Sequence, residues 1–78
     1  MDDLEEIRRR MRVSSLEARL ELREIDAAAY TREIASPLTY ATRRAEAIER
    51  RDAVLIELSR IRFELDEMRR SFPLLARH

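Results

Sequence analysis

The side chains able to carry out acid–base or nucleophilic chemistry are few and poorly grouped in this chain of 78 residues. The only histidine is His78, the last residue, and chain ends hold a catalytic group poorly in place. Cysteine is absent, and no serine has a histidine nearby in the sequence that could act as its base. We therefore predict that the protein is not an enzyme.

Metal and cofactor sites are not indicated by the residue types present. With one histidine and no cysteine, only carboxylate ligands remain, and the Glu-x-x-His pairs of metal-binding bundles are missing. Glycine is also absent, which removes the phosphate-binding loops of nucleotide sites. Asp52 falls on an apolar stripe of the second helix. A buried acid there could fix the register of helix pairing, but we expect Asp52 to lie at the edge of the stripe. We expect no metal, cofactor or small-molecule substrate.

Arginine is the most prominent charged residue. All sixteen basic residues are arginine, and sixteen acidic residues bring the net charge to zero. A small nucleic-acid-binding regulator is therefore one alternative, with contacts from the densest cluster: Arg8, Arg9, Arg10 and Arg12. Phosphate affinity requires a local excess of positive charge, and here acidic residues accompany each cluster. Nucleic-acid binding is the less favoured function.

Two long helices must position these residues. Ser36 is a good helix N-cap and Pro37 suits a first helical position, while the residue before a proline disfavours the helical conformation. We predict a first helix over about residues 2–35 and a second over about 37–72, ended by Pro73. Residues 74–78 form a short C-terminal tail. A break near Ser14-Ser15, giving three helices, is the alternative.

The two helices are expected to form one all-α domain, an antiparallel αα-hairpin over residues 1–73. Opposite charges support this pairing. A turn centred near residue 36 pairs Arg8 with Glu64 and Glu21 with Arg51. Within the two helices, four pairs have the favourable order for ion pairs one turn apart: Glu5–Arg9, Glu6–Arg10, Glu46–Arg50 and Asp66–Arg70.

Apolar residues lie on two sides of each helix. We expect the inner seam of the hairpin to join Leu4, Ile7, Met11, Ala18, Leu22 and Ile25 to Val54, Leu58, Ile61 and Leu65. The apolar residues then left for a partner are Val13, Leu16, Leu20, Ile34, Leu38, Ile56 and Phe63. A helix that is apolar on two sides is buried on two sides. Two hairpins are therefore predicted to dock, with coiled-coil spacing, as a homodimeric four-helix bundle.

These features predict a non-enzymatic protein–protein interaction module of the assembly, adaptor or small-chaperone type. Its partner would be a second copy or another helical protein. No apolar run is long enough to span a membrane, and the acidic segment 1–6 is unlike a signal peptide. We therefore predict a cytoplasmic protein that does not bind membranes.

The segment Ser36-Pro37-Leu38-Thr39-Tyr40, followed by Ala47-Ile48-Glu49, resembles the small co-chaperones of type III secretion needle subunits. The resemblance lies in two long helices, a polar Ser-Pro turn and a tyrosine three residues after the proline, and covers less than half of the chain. It implies a hairpin that packs against a helical partner and shields an aggregation-prone subunit. Small bacterial or bacteriophage bundle proteins share the same pattern.

Overall fold

Two helices joined by a short loop make up the fold, as seen in a computed structural model that describes residues 2–71. Helix α1 spans Asp2–Ala35 and helix α2 spans Ala41–Ser71. They pack side by side and antiparallel in a hairpin measuring 56 × 18 × 15 Å. The predicted all-α hairpin is confirmed.

Helix α1 is continuous through its two central serines. Ser14 and Ser15 are both exposed and helical, so the alternative with a break at this point is wrong. The helix ends where predicted: the backbone N–H of Ser36 donates to the carbonyl oxygens of Arg32 and Glu33, at 3.1 and 3.3 Å. Pro37 follows and supplies no N–H to continue the ladder.

The start of α2 differs from the prediction by four residues. The prediction placed it at Pro37, but the helix begins at Ala41. Ser36 caps a turn instead of a helix: its carbonyl oxygen accepts from the N–H of Thr39 at 3.2 Å, and its hydroxyl accepts from the N–H of Leu38 at 3.3 Å. Serine side chains commonly stabilise turns in this way. Residues 36–40 therefore form the loop.

Arg44, in the first turn of α2, holds this loop in place. Its guanidinium donates to the carbonyl oxygens of Ile34, Ser36 and Thr39, at 3.1, 3.0 and 3.0 Å. Arg43 adds a second link, because it donates to the carboxylate of Glu33. That hydrogen bond and the negative charge of Glu33 raise the pKa of Arg43 above its usual value. The guanidinium of Arg44 thus satisfies the carbonyl oxygens of the loop in a chain that has no glycine.

The register of the hairpin is set by ion pairs between the helices. Arg12 donates to Glu64 at 2.8 Å, and Arg19 donates to Glu57 at 3.0 Å. The predicted Arg8–Glu64 pair is wrong by four residues on α1, because the loop extends to residue 40 and moves the centre of the turn. The predicted Glu21–Arg51 pair is absent for the same reason, and Arg51 instead lies 3.4 Å from the adjacent Asp52.

The two ion pairs predicted within α1 are confirmed. Arg9 donates to Glu5 at 3.0 Å and Arg10 donates to Glu6 at 2.9 Å. Both pairs are on the surface, where each contributes about 0.3–0.5 kcal/mol to stability.

The two ion pairs predicted within α2 are wrong: Glu46 lies 3.6 Å from Arg43, and Arg70 lies 3.2 Å from Glu67.

The core is a narrow apolar seam between the helices. Its best-buried cluster joins Val13 and Leu16 of α1 to Ile61 and Leu65 of α2, and Leu20 packs against it. The buried residues of the described chain are Val13, Leu16, Ala47, Val54, Leu58, Ile61 and Leu65. The predicted contribution of α2 to the seam is confirmed. The predicted contribution of α1 is wrong, since its opposite side faces α2.

The reason for this error is angular. An α-helix turns by about 100° per residue, so residues nine positions apart lie on opposite sides. Val13 is nine residues from both Leu4 and Leu22, and Leu16 is nine residues from both Ile7 and Ile25. The two stripes of α1 thus lie on opposite sides of the helix and are similarly apolar.

Phe72, Pro73, the tail 74–78 and His78 lie outside the described residues.

Candidate interaction surface

The side of α1 that points away from α2 is an exposed apolar stripe. Large side chains on it are more than half exposed: Leu4 57%, Ile7 52%, Met11 66%, Leu22 56% and Ile25 57%. We call this stripe, together with the exposed Ala18, the outer face of α1. It runs for about 30 Å along the helix, at 1.5 Å per residue.

The middle of the outer face of α1 is made of small residues. Ser14, Ser15 and Ala18 are all exposed there, between Met11 on one side and Leu22 on the other. Small side chains let a second helix approach the backbone closely. The larger apolar residues lie at both ends of the stripe.

A second exposed apolar surface lies on α2. It consists of Ile48, Leu55, Ile56 and Phe63, which we call the outer face of α2. Two of its members, Ile48 and Leu55, are only 38% and 45% exposed. Asp52 lies among them, exposed and paired with Arg51, so it is not a buried acid in the seam. The outer face of α2 is therefore a less continuous apolar surface than the outer face of α1, because the charged Asp52 lies within it.

The residues predicted to contact a partner are divided by the structure into two groups. Val13 and Leu16 are buried in the seam, and Leu20 and Ile34 are half-buried. The closed hairpin therefore does not offer these four to a partner. The other three remain exposed, one in the loop and two on α2: Leu38, Ile56 and Phe63.

The outer face of α1 was missed as a partner surface because apolar periodicity alone cannot choose between two stripes. A usable signal lay in the charges. Arg12 and Arg19 are seven residues apart and flank the Val13–Leu16 side of the helix, and Glu57 and Glu64 have the same spacing on α2. Matching these two pairs selects both the register and the side of α1 that is inward.

Charged residues line one edge of the outer face of α1. Arg10, Glu17 and Glu21 follow one another at helical spacing along that edge, and all three are exposed. Arg10 is held by Glu6, whereas Glu17 and Glu21 make no ion pair within residues 2–71. The edge thus carries positive charge toward the N-terminus of α1 and uncompensated negative charge toward its middle.

The arginine cluster considered for nucleic-acid contacts is largely committed to carboxylates. Arg9, Arg10 and Arg12 donate to Glu5, Glu6 and Glu64 respectively. Arg8 is exposed, without a carboxylate partner in the described part of the chain. Three of the four cations are thus neutralised locally, which weakens a phosphate-binding surface.

Two features of residues 2–71 bear on metal or ligand binding. No group of three or more histidine, cysteine or acidic side chains there could hold a metal ion. A surface hollow beside Glu46, Glu49, Arg50 and Ala53 is open and lined by a single helix. Of the two tyrosines, Tyr30 is half-buried and Tyr40 is 82% exposed beside the loop.

No model of a protein family, no curated protein and no solved structure matches this chain. Within the described residues, neither helix combines the length and apolar character needed to cross a membrane. The exposed apolar faces are the main surface feature of the described residues.

Proposed function

We propose that this protein is a non-enzymatic helical association module of the assembly or adaptor type, and that the outer face of α1 is its working surface. Docking two hairpins through this face gives a four-helix assembly with the two α1 helices at its centre. The proposal keeps the interaction module predicted from the sequence and moves its surface to the other side of α1.

The observation that carries the proposal is the amount of surface left open. The chain exposes 6227 Å², whereas a compact monomer of 9.3 kDa would expose about 5000 Å². Its radius of gyration is 16.9 Å, against about 11–12 Å for a compact chain of this length. One seam between two helices is a small core, and a partner on the outer face of α1 would enlarge it.

On a simple estimate, the apolar contribution to docking is similar in size to the cost of association. Full burial of a leucine, isoleucine or methionine contributes about 1.5–3 kcal/mol, so a half-exposed one gains about 1 kcal/mol when covered. A two-fold dimer would cover ten such side chains. Their combined contribution falls within the range of about 4–15 kcal/mol that association costs. The dimer should therefore form in a concentration-dependent way.

The test is the mass of the protein in solution. At micromolar concentration we expect twice 9.3 kDa. Ile7→Glu combined with Leu22→Glu should give the mass of a single chain and keep the helical circular dichroism, because both residues are more than half exposed on the side of α1 away from the seam. Phe63→Glu is the matched control, an equally exposed apolar residue on α2, and should leave the dimer intact. A monomeric wild-type protein, or a dimer lost only with Phe63→Glu, would overturn the proposal.

A further inference from the structure

The spacing of the outer face of α1 is the same when read from either end. From Leu4 to Ile25 the apolar residues are separated by three, four, seven, four and three positions, and the exposed Ala29 follows four positions beyond Ile25. The centre of this pattern lies between Ser14 and Ser15, the small exposed residues of the stripe. A helix with such a pattern can pair with an identical helix running in the opposite direction, every apolar residue meeting another.

We infer that two copies pair through the outer face of α1 in antiparallel orientation, with the two-fold axis passing beside Ser14 and Ser15. The inference rests on the proposed function and specifies the orientation in which its two copies pair. Leu4 then lies opposite the partner's Ile25, and Ile7 lies opposite the partner's Leu22. The helices follow one another in the order α2, α1, partner α1, partner α2.

Side-chain size favours this orientation over the parallel one. In the antiparallel register the long side chain of Met11, 66% exposed, lies against the small side chain of the partner's Ala18. At this point a large side chain of one helix packs against a small side chain of the other. A parallel in-register pair would instead place Met11 against the partner's Met11 and leave a gap between the two alanines at position 18.

Charge complementarity gives the second argument. In an antiparallel two-fold pair, each edge of the outer face of α1 contacts the same edge of the partner's helix. Arg10 of one copy then lies between the partner's Glu17 and Glu21, each displaced by about 3 Å along the axis. The guanidinium has five N–H donors, so donors remain beyond the one held by Glu6. Two-fold symmetry repeats this contact on the other half of the interface.

In a parallel pair, one edge of the outer face of α1 would contact the opposite edge of the partner's outer face. Arg8 lies on the other edge of the outer face of α1, so a parallel in-register pair would bring it beside the partner's Arg10. Like charges side by side oppose association. The antiparallel pair therefore supplies carboxylates to Arg10, whereas the parallel pair supplies a cation. On the other edge, the antiparallel pair places Arg8 about 3 Å along the axis from the partner's Arg19, whose guanidinium is bonded to Glu57.

Disulfide cross-linking tests the orientation, since the chain has no cysteine of its own. The Ile7→Cys protein is mixed with isotope-labelled Leu22→Cys protein and oxidised at low micromolar concentration. We expect a mixed disulfide, and no disulfide dimer from either protein alone. In the antiparallel pair the two copies of position 7 are about 22 Å apart along the axis, whereas a disulfide needs Cα atoms within about 7 Å. Dimers within each single-variant sample would overturn the inference.

Ser14→Cys separates failure of the orientation from failure of the proposed function. This position lies at the centre of the stripe, so it should form a disulfide dimer if the outer faces of α1 pair in either direction. Cross-linking of Ser14→Cys without the mixed disulfide would contradict the antiparallel register alone. No cross-linking by any of these variants, together with a monomeric mass, would contradict the association itself.

Charge reversal provides a readout that does not depend on cysteine. Arg10→Glu should raise the dissociation constant of the dimer about tenfold, since it places like charges at both ends of the interface. Adding Glu17→Arg and Glu21→Arg to it should restore most of the affinity. Arg60→Glu, an exposed change on α2, is the control and should leave the constant unchanged. Weakening by Arg10→Glu without rescue by the triple variant would contradict the proposed contact.

Discussion

Arg44 at the start of α2 is hydrogen-bonded to the last turn of α1, its Nε donating to the carbonyl oxygen of Ile34 at 3.1 Å. The same guanidinium reaches the carbonyl oxygens of Ser36 and Thr39 from its Nη2 atom. One half-buried side chain therefore joins the end of the first helix, the loop and the start of the second. Few other residue types could do this, because the contact needs several N–H donors in a fixed plane.

We expect Arg44→Lys to lower the free energy of unfolding by about 1–2 kcal/mol. Lysine keeps the positive charge but cannot hold three carbonyl oxygens in this geometry, and hydrogen bonds to charged groups contribute about 1.5–3 kcal/mol. Urea denaturation measures the change, at one protein concentration because association also stabilises the fold. Arg50→Lys, on the exposed surface of α2, is the control. Equal midpoints for the two variants would show that the loop contact is unimportant.

Leu16→Ala and Leu22→Ala should affect stability very differently. Leu16 is fully buried in the seam, so truncating it should cost about 2–5 kcal/mol. Leu22 is 56% exposed, so its truncation should hardly affect the hairpin and should mainly weaken association. Thermal denaturation at low concentration, where the monomer prevails, compares the two. The reverse order would mean that the other side of α1 faces α2.

A double-mutant cycle on Arg12 and Glu64 should give a small coupling energy, about 0.2–1 kcal/mol. The two groups are 2.8 Å apart, but both side chains are about half exposed and the solvent screens the pair. The matched cycle on Arg8 and Glu64 should give no coupling, since Arg8 lies one turn farther along the helix. Chemical denaturation of the single and double alanine variants provides the energies. Coupling at Arg8 in place of Arg12 would contradict the register.

Mixed-sequence DNA and RNA should show no salt-sensitive binding to the protein. Arg9, Arg10 and Arg12 are bonded to carboxylates, so few cations are available to release counterions from phosphates. Fluorescence anisotropy between about 50 and 200 mM salt measures this, the range over which phosphate contacts lose most affinity. Binding that weakens steeply with salt, and that Arg8→Ala reduces, would revive the nucleic-acid alternative.

Much of the fold follows from local sequence signals. Ser36 and Pro37 end the first helix, and the recurrence of apolar residues every three or four positions predicts both helices. The seam residues of α2 could be named in advance because Val54, Leu58, Ile61 and Leu65 repeat at coiled-coil spacing. The start of α2 could not, because Ser36-Pro37 suits a helix start and a turn equally well, and Arg44 stabilises the turn from outside the segment.

What the sequence by itself determined is that α1 has two apolar sides. The tertiary structure decided which side meets α2, and the one sequence signal that agrees with it is the matched spacing of Arg12 and Arg19 with Glu57 and Glu64. Val13 and Leu22 lie half a rotation apart on the helix, and no local preference separates them. The loop that ends at residue 40, and the Arg12–Glu64 and Arg19–Glu57 pairs that this loop length permits, turn Val13 inward and leave Leu22 exposed. Such contacts join residues distant in sequence, and their geometry exists only once the chain has folded back on itself.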